Sequence, residues 1–326
     1  MMSIRSTTIS PKPGAMLRSS KKKSSITGDG RSGDPDRPPN RRIRHRMKII
    51  HREDSIMEQK VAMVTGASQG IGKGIALELA KAGYDIALHC SSNISAAQIT
   101  AAEINTLGHR CEIIQSDFSR YEGIVELFNA FDRVFDRIDI LVSNAGITFG
   151  GPILETDIET FDKVNAIDWR GGFFCTQFTA RRMIQQKIRG SILLITSNHS
   201  TMVFGNSAVY GPVKTALQKF CRHAALEFAP YGIRVNAIAP GFTATGNPRM
   251  GDPEQTYRGI PLHRWVTPAE LGKMVLYLSS PDAASLTGQE IVMDGGASLL
   301  SGSKGMDELR EQAEQLRQKI TDGNQP

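Results

Sequence analysis

The chain of 326 residues predicts an α/β fold, a doubly wound parallel sheet in a single domain over residues 57–302. Three observations predict it. Short, nearly continuous apolar runs alternate with longer helix-like stretches, the pattern of strands covered by helices on both faces. The first apolar run breaks on glycines, Thr65-Gly66-Ala67-Ser68-Gln69-Gly70-Ile71-Gly72, and restarts as a helix. Hydrophobic residues make up 40% of the chain, enough for a large core, yet no apolar run approaches the 18 or more residues of a membrane span.

Taken in order, the strand near 60–65 is the run Val61-Ala62-Met63-Val64, and the helix near 70–82 opens directly on the glycines. Such a junction leaves unpaired backbone N–H groups aimed above the turn, which suits a pyrophosphate. The three glycines divide the work: a tight turn, close approach to the ligand, and close helix–strand packing. Gly66, Ser68, Gln69, Gly70, Ile71 and Gly72 are therefore candidate cofactor-binding residues. The next strand, near 85–90, ends at Cys90-Ser91-Ser92-Asn93, before a helix near 95–107. An NAD site normally places an acid there to hold the ribose 2′-hydroxyl. None occurs between Ile86 and Gln98. Small hydroxyls such as Ser91 can donate to a 2′-phosphate instead, so NADP is expected, with NAD the alternative.

Cys111-Glu112-Ile113-Ile114-Gln115 forms the strand near 110–115 and leads to Asp117. A helix near 120–136, a strand near 139–143 and a helix over 157–187 follow. Ile192-Leu193-Leu194-Ile195 is the strand near 190–196, placing Ser197 at its carboxyl end, where a hydroxyl can steady a substrate oxygen. In the helix near 207–229, Tyr210 and Lys214 are four residues apart and share one face. A cation close to a phenol favours the phenolate and fits the hydroxyl for acid–base work. Tyr-x-x-x-Lys by itself also describes an ordinary amphipathic helix; the combination with Ser197 and the glycine turn gives it meaning. After the strand near 232–238, residues 241–266 make one long Gly- and Pro-rich connection, a candidate substrate lid. A helix near 267–279 and a strand near 290–293 complete the sheet.

From about Lys60 to Leu300, these motifs in this order resemble the short-chain dehydrogenase/reductase family, within it the 3-oxoacyl-acyl-carrier-protein reductases and the glucose dehydrogenases. The resemblance implies a Rossmann-like NAD(P)-dependent oxidoreductase acting on a small-molecule carbonyl or alcohol. It places Asp117 beside the adenine, Asn144-Ala145-Gly146 along the cofactor, and Pro240-Gly241 with Thr243 and Thr245 over the nicotinamide. It makes Tyr210 the proton donor, Ser197 the holder of the substrate oxygen, and Lys214 the group that tunes Tyr210 and binds the nicotinamide ribose. Gln69 stands where NADP-using relatives often carry a base. One position departs: Asp168 stands where the family usually has a catalytic asparagine. Its carboxylate either offsets the field of Lys214 on Tyr210 or simply accepts the same hydrogen bonds. Asn165, nearly a turn earlier, is expected to reach the same water. The resemblance also implies a homotetramer built on the helices near 157–187 and 207–229.

The substrate is expected to be a 3-oxoacyl or other ketone, Met202, Val203 and Phe204 suiting an acyl chain; Asn198, His199, Ser200 and Thr201 suit a sugar or polyol. A non-catalytic NADP-sensing protein, silenced through Asp168, is the reading from a different class. Cys90, Cys111, Cys175 and Cys221 are dispersed and are expected to be free thiols in a reducing, cytoplasmic location, and no metal site is expected. The net charge of +6 belongs to residues 1–56, which hold 14 Lys and Arg against 5 Asp and Glu; the remainder carries 25 against 28. That tail is expected to be a disordered appendage or the product of an upstream start, ahead of a transit peptide or a charge-driven nucleic-acid binder. Over 303–326, Met306, Leu309, Ala313, Leu316 and Ile320 recur at helical spacing, predicting an amphipathic helix.

Overall fold

The computed structural model describes residues 59–247, 256–300 and 304–322. The basic segment 1–56 and the middle of the long connection, 248–255, lie outside the described residues. Seven parallel strands form one sheet: β1 (Val61–Val64), β2 (Asp85–Cys90), β3 (Cys111–Gln115), β4 (Ile140–Ser143), β5 (Ser191–Ile195), β6 (Arg234–Pro240) and β7 (Glu290–Met293). Their order is β3-β2-β1-β4-β5-β6-β7. The chain winds outward from β1 in one direction, then returns to β4 and winds in the other, so a crevice opens where β1 and β4 diverge.

Helices join the strands: α1 (Gly70–Lys81), α2 (Ile94–Thr106), α3 (Tyr121–Phe131), α4 (Ile158–Val164), α5 (Gly171–Gln186), α6 (Tyr210–Phe228), α7 (Pro268–Ser279) and, beyond the sheet, α8 (Lys304–Thr321). Successive strand residues point to opposite faces. Met63, Leu141, Ile192 and Leu194 pack with Leu127 and Phe128 of α3 and with residues of α5 and α6. Val64, Val142, Leu193 and Ile195 face the other way, onto Ile75 and Leu79 of α1, Ile104 of α2 and Val275 of α7. Two apolar layers therefore clamp the sheet. Fully burying a large aliphatic or aromatic side chain is worth about 1.5–3 kcal/mol.

The helix predicted over 157–187 contains a feature that spacing does not reveal. Between α4 and α5 the chain makes a π turn, Asn165–Arg170. The wider turn holds an additional residue and resets which side chains face the sheet. Across the long connection, Thr243 bridges to Val266, and the Trp265 indole donates to Thr256 Oγ1 at 2.7 Å. Arg310 of α8 reaches back to the carbonyls of Tyr257 and Ile260, at 3.2 and 3.3 Å.

Candidate active site

Because the sheet is parallel, the turns after β1, β2, β3, β4, β5 and β6 gather at one edge. At the β1 turn, Gly66 and Gly70 adopt φ of +65° and +58°, a region that other residues rarely occupy. Gly72 is needed for space, since a Cβ there would lie 2.3 Å from the Gly66 carbonyl oxygen. The N-terminus of α1 has no side-chain cap from Gln69 and no acid in its first turn. Its N–H groups thus suit an anion, and the turn fits a dinucleotide pyrophosphate. Ser68 is anchored by the Thr100 hydroxyl, which donates to its carbonyl at 3.0 Å, and Ile71 packs against the α1 side of the core.

The β4 turn is locked to this loop. The Asn144 amide donates to the carbonyls of Thr65 and Gly66, at 2.9 and 3.1 Å. The backbone N–H groups of Asn144 and Ala145 both donate to Thr65 Oγ1 at 2.9 Å. From β6, Pro240 is the last strand residue. A Cβ on Gly241 would come 2.6 Å from that of Asp294, and Thr243 donates to the Gly241 carbonyl at 2.9 Å. Thr245 overhangs the glycine loop, 3.5 Å from where a Gly70 Cβ would sit.

At the far end of the crevice, Ser91 is exposed beside Asn93, whose amide meets the Gln69 side chain at 3.3 Å. Asp117 is exposed, and hydrogen bonds from the Ser119 hydroxyl and N–H hold its carboxyl below the usual range. His89, at the buried end of β2, is a structural residue that sequence reasoning missed. Its Nδ1 accepts from the Gly66 N–H at 3.1 Å, its Nε2–H donates to the Ser116 carbonyl at 3.0 Å, and it stacks on Phe118 at 4.3 Å. Burial drives its pKa down to about 4, against the pull of Ser116 and Asp117. The ring is neutral and fixed in one tautomer, supporting the glycine loop from below.

The other group forms around β5. Lys214 Nζ donates to the Ile195 carbonyl at 3.2 Å, pairs with Asp168 Oδ2 at 3.2 Å and lies 5.3 Å from the centroid of the Tyr210 ring. Burial opposes the Lys214 charge, but Tyr210 and Asp168 outweigh it, and the ammonium holds its proton more tightly than an ordinary lysine. Burial raises the Asp168 carboxyl, with Lys214 and the Ile147 N–H pulling the other way. That N–H donates to Oδ1 at 2.8 Å. A Cβ on Gly146 would come 2.7 Å from the carboxylate, so Asp168 is seated against the β4 turn. The Asn165 amide donates to the Phe161 carbonyl at 2.9 Å, one turn back. The π turn gives the inward position to Asp168.

Ser197 is buried at the end of β5, its Oγ 3.1 Å from His199 Nδ1. The His199 ring stacks on Phe204 at 4.1 Å and meets the Tyr210 ring edge-on at 5.1 Å. Sequence reasoning also missed Glu290, the acidic residue opening β7, whose carboxylate accepts from the hydroxyls of Thr196 (2.6 Å) and Ser200 (3.1 Å) and so braces both flanks of Ser197. An acid at the head of an apolar strand was its only signal. A cavity of about 680 Å³ adjoins this group, lined by His199, Met202, Val203, Phe204, Leu154 and Gly211 among others. Ser197 and Tyr210 themselves lie outside its lining, behind His199.

Among the described residues the four cysteines are free, no group of His, Cys, Asp and Glu is placed to hold a metal, and no helix is long and apolar enough to cross a membrane. A sequence profile described as enoyl-(acyl carrier protein) reductase matches residues 66–298. A 3-oxoacyl-[acyl-carrier-protein] reductase of Synechocystis is 36% identical over 238 residues, 73% of this chain and 96% of that relative. Among solved structures, acetoin dehydrogenase YohF from Salmonella typhimurium matches with a TM-score of 0.69 at 36% identity, covering 74% of this chain and 98% of that one. The angucycline C-6 ketoreductase LanV with bound NADP matches with a TM-score of 0.69 at 29% identity, covering 74% and 96%. With the profile matching residues 66–298 and relatives 36% identical over nearly their whole length, this chain belongs to the short-chain dehydrogenase/reductase family of NAD(P)-dependent oxidoreductases.

Proposed function

We propose that the chain is an NADP-dependent keto reductase that converts a neutral ketone, NADPH and a proton into a secondary alcohol and NADP, and runs in reverse on the alcohol. One observation carries this reading: Lys214 is buried beside Tyr210, with Ser197 close by at the same edge as the glycine loop. The nicotinamide, when bound, supplies or accepts the hydride. Tyr210 gives its hydroxyl proton to the carbonyl oxygen, and Ser197 holds that oxygen through its own O–H. Lys214 keeps a positive charge behind the phenol and presents its remaining N–H toward the cofactor ribose. Asp168 holds that charge in place, and proton relay through Lys214 persists in a form altered by the carboxylate.

NADP is favoured over NAD because Ser91, Ser92 and Asn93 face solvent at the end of β2 with no carboxylate to repel a 2′-phosphate. A strong kcat/KM preference for NAD would remove this choice. The described cavity lining is uncharged, which suits a neutral ketone. The second substrate reading is a 3-oxoacyl thioester, supported by Met202, Val203 and Phe204 in that lining and by the Synechocystis relative. We also propose a homotetramer, supported by a groove of about 530 Å³ along α5 and α6 lined by Trp169, Phe173 and Phe220; a monomeric mass in light scattering would exclude it.

NADPH oxidation against ketones, acyl thioesters and sugars tests the activity. Tyr210→Phe should lower turnover by about 10²–10⁴-fold, the usual worth of a positioned general acid, while NADPH still binds in a fluorescence titration. Near-normal turnover in that variant would sink the mechanism. Tight NADPH binding with no turnover of any substrate by the native protein would favour the sensor instead.

A further inference from the structure

We propose that His199 is a specificity-determining residue that reads a second oxygen on the substrate, so that the preferred substrates are ketones bearing a hydroxyl on the neighbouring carbon and, in reverse, vicinal diols. The proposal rests on the reductase reading above and names the substrate class of that same site.

The argument starts from the two polar edges of an imidazole. The Nδ1 edge lies 3.1 Å from Ser197 Oγ, and the backbone N–H of the same residue donates to that oxygen at 3.3 Å. The ring is held by its stack on Phe204 and its edge contact with Tyr210. Its Nε2 has no protein hydrogen bond among the described residues, although the residue lines the cavity beside the reacting hydroxyls. One polar edge is therefore committed to the site and the other is left for a ligand.

The tautomer decides what that ligand must offer. Ser197 has one hydroxyl proton, and holding a carbonyl oxygen requires it. Were Nδ1 an acceptor, it would take that proton and leave the substrate oxygen without its donor. The working form therefore carries its proton on Nδ1, which donates to Ser197 Oγ together with the backbone N–H, and the serine proton, whose one protein acceptor is Asn198 Oδ1 at a long 3.4 Å, can turn to the substrate. Nε2 is then a bare acceptor. Burial, and after it the nearby Lys214 charge, lower the His199 pKa and keep the ring neutral, as this arrangement needs. The complement of a bare acceptor beside a reacting carbonyl is a hydroxyl one carbon away. A plain ketone leaves Nε2 unpaired on binding, and sites built to pair a substrate hydroxyl discriminate against analogues that lack it.

The test is NADPH oxidation by the full chain with two matched pairs: 3-hydroxybutan-2-one against butan-2-one, and 2-hydroxycyclohexanone against cyclohexanone. The native protein should favour each hydroxy ketone by about tenfold or more in kcat/KM. His199→Asn keeps an N–H near the Nδ1 position but lacks Nε2. It should bring the ratio toward one, by raising KM for the hydroxy ketones more than for the plain ketones. His199→Gln reaches toward the Nε2 position without the Ser197 contact; it should preserve the ratio while kcat falls on all four substrates. A merely structural histidine would give neither split. Equal use of both members of each pair by the native protein, or an unchanged ratio in His199→Asn, overturns the inference and leaves the reductase reading standing. No turnover of any ketone removes the reductase reading, and this inference with it.

Discussion

At Asp168 a carboxylate stands behind a buried lysine, and the sign of its effect can be worked out. Tyr210 and Asp168 together hold the Lys214 proton against burial. Replacing Asp168 with Asn removes one of these attractions, so Lys214 should deprotonate at lower pH. The alkaline limb of the kcat/KM profile should then move toward acid; an unmoved limb would mean that Asp168 serves only as a hydrogen-bond acceptor for Ile147. His89 gives a prediction of the opposite kind. Its folded pKa of about 4 lies below the ordinary 6.5, so the unfolded chain takes up the proton first. Its contribution is complete above pH 6.5 and is lost as pH falls toward 4. The difference of about 2.5 pH units corresponds to about 3 kcal/mol. His89→Asn should flatten the pH dependence of thermal stability in that window, and an equally steep fall would refute this assignment. Neither effect was readable in full beforehand. A histidine in a strand looks the same whether or not its ring supports a loop 23 residues away, and only folding brings Gly66 to it.

The elements themselves were largely legible. The inner strands β1, β4 and β5 are short runs buried along their whole length, and burial on both faces of a parallel sheet leaves no alternation to misread. The π turn was not legible, because an i→i+5 turn has no compositional mark. Where spacing did indicate close packing, the consequence is sharp. Gly72→Ala would set a Cβ 2.3 Å from the Gly66 carbonyl oxygen, 2.6 Å from the Asn144 amide nitrogen and 2.9 Å from the Ala67 Cα, so the loop backbone itself must shift. The variant should lose about 1–3 kcal/mol of stability, as overpacked sites do, and should bind NADPH more weakly because the loop opens. Thermal melting and titration of one preparation check both; unaltered NADPH affinity would separate the loop from the cofactor site.

For the molecule as a whole, the crevice is built by turns from both halves of the sheet. The glycine loop follows β1, Asn144 follows β4, and Thr245 arrives from beyond β6. A ligand that touches all three ties the halves together and binds only the folded chain. At a hundredfold excess over Kd, such a ligand stabilises by about 2.7 kcal/mol. For a domain of this size that corresponds to a rise in Tm of about 5–10 °C, and saturating NADPH should produce it; no rise would contradict a site spanning the crevice. The family resemblance reached this architecture through motif order, but not the bracing of Ser197 by Glu290, since strand β7 meets the end of β5 only through the sheet and the turns around it.

The π turn at Asn165–Arg170 also bears on how this lineage can tolerate length changes. A helix that accommodates a surplus residue can lose one and heal as an ordinary α-helix, its downstream half keeping its groove. Such a single-codon deletion would nevertheless swing the Asp168 carboxylate about 100° around the axis, away from the buried ammonium. Folded but chemically altered proteins should therefore be one small deletion away.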